Sequence, residues 1–159
     1  MAQRGVYTVV FVEASITAAN TDYDLWELVA VDDRPIELVA FTLGVTGEVG
    51  DAQDETISVK ISTDFTVSSN GTATTPRPTD PRDGAAAFTA ETIGATVANT
   101  GTEIINFADS FNVRAGGQWI FPEIMRFKWD QADTACYIRW MTTVADTLLL
   151  NGTAWVREL

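Results

Sequence analysis

Residues 38–62 read LVAFTLGVTGEVGDAQDETISVKIS, and the alternation inside this stretch selects the fold class. In its second half Ile57, Val59 and Ile61 are apolar, while Thr56, Ser58, Lys60 and Ser62 are polar. Successive side chains of a strand point to opposite faces, so this half reads as a strand with one buried and one wet face. The first half, Leu38 to Val45, is apolar on both faces, as in a strand inside a two-layer sandwich. Between them GEVGDAQDE carries two glycines and the acids Glu48, Asp51, Asp54 and Glu55, which suits a tight, solvated reversal. Residues 38–62 are therefore expected to form a hairpin.

Working outward, the same texture repeats. Upstream, GVYTVVFVE (5–13) and YDLWELVAV (23–31) read as strands, the second stopped by DDRP, where Pro35 cannot donate to a ladder. Residues 1–13 as a whole are an N-terminal strand or arm, able to join this sandwich or reach a neighbour. Downstream, residues 63–85 make a long Pro-rich loop containing Pro76, Pro78 and Pro81, locally stiff because proline fixes φ and restricts the residue before it. AFTAETIGATV (87–97), EIINFADSF (103–111), the segment around Trp119–Pro122, the alternation Met125, Phe127, Trp129, and finally 136–142 and 148–156 complete eight to ten expected strands. No segment carries a capped 3.6-residue period. The pattern is that of an all-β chain, a single-domain β-sandwich or jelly roll.

Bulk properties exclude several functions. At 159 residues the chain is one domain able to bury about 68–70% of its unfolded surface. No apolar run reaches the ~18 residues of a membrane span, and the N-terminus lacks the apolar core of a signal peptide, so neither is expected. Acids outnumber bases 22 to 10, a formal charge of −12, which repels nucleic acid. The chain has no histidine, which removes the commonest general base and zinc ligand. Cys136 is the single cysteine and sits in an apolar alternation with Ile138 and Trp140, as a buried core thiol would.

Carboxylates are the remaining catalytic raw material: Asp51, Asp54 and Glu55, with Asp80 and Asp83 further on. They fall in solvated turns that give no cause for the raised pKa a glycosidase acid needs, so no enzyme activity is expected. DAQDE also lacks the regular spacing of a calcium loop, and no metal or other cofactor is expected, although Asp51 and Asp54 leave calcium open. Asn70-Gly71-Thr72 and Asn151-Gly152-Thr153 match the glycosylation triplet but read as turns. The five tryptophans fall among Val, Leu and Ile and read as packing residues, with Trp119 and Phe121 the pair best placed for exposure.

Six segments cover most of the chain from Asp24 onward: DLWELVAV (24–31), PIELVAFTLG (35–44), GDAQDETISVKI (50–61), TPRPTDPRDGAA (75–86), GTEIINFADSFNVRAG (101–116) and ADTLLLNGTAWVREL (145–159). Their order resembles that of a group of small virion-associated proteins of tailed bacteriophages. The resemblance implies an auxiliary protein of the capsid cement or head-decoration kind: a β-sandwich without enzyme activity, located on the virion's capsid surface and bound to the major capsid protein. A tail or spike module that binds a host receptor or glycan is the alternative. Self-association, as a trimer, is expected to accompany either. The expected contacts are the apolar N-terminal residues Val6, Val9 and Phe11 and the loop residues Pro76, Arg77, Pro78, Asp80 and Pro81, with Trp119 and Phe121 as a further surface.

Overall fold

The computed structural model describes residues 5–17, 22–31, 33–46, 55–65, 68–131 and 135–159. In chain order the strands are β1 (Val6–Ile16), β2 (Tyr23–Val29), β3 (Ile36–Thr46), β4 (Thr56–Phe65), β5 (Thr72–Thr74), β6 (Arg77–Pro78), β7 (Thr89–Gly94), β8 (Gly101–Asn112), β9 (Gly117–Ile120), β10 (Phe127–Trp129), β11 (Cys136–Trp140) and β12 (Leu148–Glu158). A 3₁₀ turn, Glu123–Met125, separates β9 from β10. Two antiparallel sheets result. Sheet A runs β10-β3-β12-β1-β6, with β9 also paired to β3, and sheet B runs β5-β7-β2-β11-β4-β8.

The expected all-β sandwich is what forms, but the strands flanking 47–54 are not a hairpin. β3 lies in sheet A and β4 in sheet B, so the connection passes from one layer to the other. The alternation of Ile57, Val59 and Ile61, all fully buried, is the inward face of sheet B. Leu38, Ala40, Phe41 and Leu43 of β3 are buried, and both edges of the strand are paired, by β12 on one side and by β9 and β10 on the other. Hydrophobic alternation specifies which face is buried but not which strand sits alongside. Asp51 and Asp54, the residues left open for calcium, lie outside the described residues.

Aromatic rings form the core between the sheets. Phe11 packs on Trp26 at 4.8 Å between ring centroids, Trp26 on Phe41 at 6.1 Å, and Phe41 stacks on Trp119 at 4.5 Å. Phe111 closes the row against Trp119 at 5.4 Å and Trp140 at 6.3 Å. Buried indoles need an acceptor, and each finds one: Trp26 Nε1 donates to Val9 O (3.1 Å), Trp129 Nε1 to Leu28 O (3.2 Å) and Trp140 Nε1 to Thr142 O (2.7 Å). Gly152 is a point of close approach in this core. A Cβ there would stand 2.4 Å from the Phe11 ring and 2.7 Å from that of Trp26. Asn151-Gly152-Thr153 is thus not a turn but the interior of β12, where glycine makes room for two rings from the opposing strands.

Sheet B is covered on its outer side by two loops tied down by buried acids. Asp24 binds Arg139 through Oδ1 to Nε (2.5 Å) and Oδ2 to Nη2 (3.0 Å), and also accepts from Ala98 N at 2.8 Å. Arg139 Nη2 returns a bond to Ala98 O at 2.6 Å. Glu27 accepts from Ser69 N and Ser69 Oγ, both at 2.8 Å. These pairs explain why every residue of β2 from Tyr23 to Leu28 is buried although two of the six are charged.

Candidate interaction surface

The sandwich has two long sides where both sheets end, and the sequence-derived contact residues are divided between them. On one side lie β5 and β6. Here the Pro-rich segment does not reach away: Arg77 and Pro78 pair with Thr8 and Tyr7, adding a short strand to the edge of β1. Thr79 N donates to Val6 O at 2.8 Å, and Tyr7 Oη to Gly84 O at 3.2 Å. Of the two readings of the N-terminus, strand or arm, residues 6–16 take the strand, β1, which sits between β12 and β6. Val9 and Phe11 belong to the core, and Val6 is half-buried. The apolar surface of Val9 and Phe11, expected to need a neighbour, is already covered in the core between the sheets.

The remaining loop residues keep some exposure. Pro76, Pro78 and Asp80 are half-buried, while Arg77 and Pro81 are exposed. Asp80 accepts from Arg82 through both oxygens, at 3.0 Å from Nε and 2.6 Å from Nη2, which holds its carboxyl below the usual carboxylate range. Between β1 and β5 lies an open cleft of about 390 Å³ lined by Thr8, Val10, Ala73, Thr74, Thr75 and Arg77. Its walls are hydroxyls, one guanidinium and one exposed valine.

On the opposite side lie β8, from sheet B, and β9, the 3₁₀ turn and β10, from sheet A. Trp119 and Phe121 are here, but turned inward and buried. Trp119 Nε1 donates to Asp109 Oδ2 at 2.7 Å, a bond that, with the Ser110 N–H, holds the Asp109 carboxyl below its ordinary range. Phe121 meets Phe107 at 5.5 Å and Phe127 at 5.0 Å, edge to face, which joins the two sheets. The residues left outside are their neighbours. Ile120 is 66% exposed, Ile124 95%, Met125 63%, Ile105 57% and Ile104 49%. Burying Trp119 and Phe121 forces Ile120 between them to the other face of the extended backbone, a consequence of the period of two.

A cleft of about 230 Å³ opens on this side between β8 and β10, lined by Ile61, Thr63, Ile104, Asn106, Phe127, Lys128, Trp129 and Cys136. Cys136 is fully buried at its floor, and burial pushes its thiol up, so it is a packing residue rather than a nucleophile. At the rim is a charge cluster that sequence reading missed. The fully buried Glu37 side chain meets Arg157 Nε at 2.7 Å, Arg126 Nη1 at 2.9 Å and Lys128 Nζ at 3.7 Å. Glu37 follows Pro35-Ile36 in an apolar run, and an acid at an apolar position was the only available signal. Its partners lie 89 to 120 residues downstream, beyond any local pattern.

Among the described residues no three of His, Cys, Asp or Glu converge into a group that could hold a metal ion. Nor is any helix long and apolar enough to cross a membrane. The features suited to recognition are one polar cleft beside β6 and one apolar side around β8. Compared with protein-family models, with curated proteins and with solved structures, the chain matches none.

Proposed function

We propose that this chain is a structural binding module that decorates and stabilises a bacteriophage capsid by attaching to the major capsid protein. The observation that carries the reading is the gathering of Ile104, Ile105, Ile120, Ile124 and Met125 on one side of the sandwich. Large apolar side chains left exposed together on one side of a molecule suit an interaction site better than a solvated face. Strand wiring supports it further. β1-β12-β3-β10 faces β2-β11-β4-β8, and with β5, β6 and β7 set aside the chain changes sheet at each step except between β4 and β8 and between β9 and β10. We read this as a jelly roll carrying β5, β6 and β7 as an insertion, a fold recurrent in viral capsid and lectin domains. That support is an analogy of fold, and the surface bears the functional weight.

Purified protein mixed with capsids that lack it should co-sediment with them, and electron microscopy should then place extra density on the shell. Absence from both pellet and shell would overturn the proposal. A second reading, a tail or spike module that binds a glycan, is favoured by the hydroxyl-lined cleft at Thr8, Thr74, Thr75 and Arg77. Retention on a glycan array that Arg77→Ala abolishes would select it.

A further inference from the structure

We infer that the β8 side accepts an extended segment of a partner protein, lying along β8 with one apolar side chain in the cleft beside β10 and a carboxylate against Lys128. The inference rests on the reading of this chain as a protein-binding module, but not on the partner being a capsid. β8 is the last strand of sheet B, and among the described residues no strand pairs with its outer edge. Its sequence, GTEIINFADSFN, contains neither the prolines nor the lysines that ordinarily block such an edge. An edge twelve residues long offers main-chain donors and acceptors to an added strand, and alternate side chains of that strand fall toward the sheet.

Side chains cover this edge only lightly. Ser110 N–H is satisfied by Asp109 Oδ1 at 2.8 Å, and the Asn106 Nδ2 group donates to Ile104 O at 3.5 Å. Beside it, Ile61, Ile104, Phe127 and Trp129 give the cleft an apolar lining with room for a branched aliphatic side chain.

Charge selects the occupant. The chain carries −12 overall, so two copies repel. Yet three of its ten Lys and Arg residues converge on Glu37 at this rim. Glu37 offsets one cation, and Glu123, 3.5 Å from Arg157 Nη2, offsets a second. Lys128 is the most loosely held of the three, 3.7 Å from Glu37 with its side chain 53% exposed, and it lines the cleft. A cluster of cations in an acidic molecule therefore sits beside its apolar edge, which fits an apolar segment bearing an acid.

The test uses the full chain, ¹⁵N-labelled, titrated with a blocked hexapeptide Thr-Val-Thr-Asp-Thr-Val, whose Val and Asp share one face, and with its Lys-for-Asp counterpart. Amide shifts are expected along residues 104–108 and at Phe127 and Lys128, with the Asp peptide bound about fivefold more tightly at low salt. Lys128→Glu, a change at an exposed position, should reverse that preference, and Ile104→Asp should weaken both peptides. Equal binding of the two peptides, shifts confined to the Thr8–Arg77 cleft, or no shifts would each overturn the inference. Sedimentation of the free chain checks the competing occupant: a dimer that Ile104→Asp dissolves would make a second copy the partner and overturn it too. Peptide binding without capsid binding would instead sink the capsid reading and leave this site standing, while capsid binding untouched by Ile104→Asp and Lys128→Glu would do the reverse.

Discussion

The two long sides of the sandwich solve the same problem in opposite ways. Every open sheet leaves edge strands whose unpaired main chain invites another strand. At the β5–β6 side the edges are three and two residues long, hemmed by Pro76, Pro78 and Pro81 and by the exposed Arg77 and Arg82. At the β8 side the edge runs twelve residues and is bordered by Ile120, Ile124 and Met125. One side is closed to strand addition and the other is left open. The contrast teaches that proline-rich, extended sequence marks protection here, and that the surface free for a partner is the one whose strand looks ordinary.

The contrast can be broken by substitution, and the largest effect is expected at Trp119. This side chain stacks on Phe41 and bonds Asp109, so it joins β9 to both the core and β8. Trp119→Ala should cost about 3–5 kcal/mol in urea unfolding, the range for removing a large buried aromatic. A loss below about 1 kcal/mol would mean that the β8 side is not anchored as described.

Replacing residues 76–83 with a Gly/Ser linker should cost less, about 1–2 kcal/mol. It removes the β6 pairing and the Thr79–Val6 bond and frees the unfolded chain from three prolines. The oligomeric state by light scattering should not change, since this segment lies on its own β1. A change of state would restore the Pro-rich segment as a contact.

Trp119→Phe keeps the ring and deletes the indole donor to Asp109, for an expected loss of about 1 kcal/mol near neutral pH. The sign of its pH dependence follows from the depressed Asp109 carboxyl. A group whose folded pKa lies below its unfolded value contributes stability above the ordinary Asp range, near pH ~3.9, and loses it as pH falls through the folded pKa. The gap between wild type and Trp119→Phe should therefore be constant above about pH 5 and narrow below about pH 4. A gap unchanged into acid would place the loss in packing alone.

The smallest effect on stability is expected at Ile105→Lys, within about 0.5 kcal/mol, because this side chain is mostly in water. Its consequence is on association instead. Turbidity at high protein concentration should fall, as a lysine on an edge strand discourages edge-to-edge pairing. Unchanged turbidity would show that the β8 edge is already closed.

Much of this architecture is legible in one dimension. The alternation of Ile57, Val59 and Ile61, the valines of β1 and the Cys136, Ile138, Trp140 pattern each name a strand and its buried face, because side-chain direction is a local property with a period of two. Cys136 could be placed in the core from its neighbours alone. Which strands pair is another matter. β3 and β4 look like a hairpin but belong to different sheets, and β1 reads equally as a strand of this sandwich or an arm until it is seen between β12 and β6, since pairing depends on partners as far as 151 residues apart in Val6 and Arg157. Gly152 reads as a turn until the Phe11 and Trp26 rings are set against it. The gathering of Arg126, Lys128 and Arg157 on Glu37, and of five exposed apolar side chains beside them, has no local signature at all. Burial and pleat are decided residue by residue along the chain, whereas a surface is assembled from segments that only the packing of the two sheets brings together.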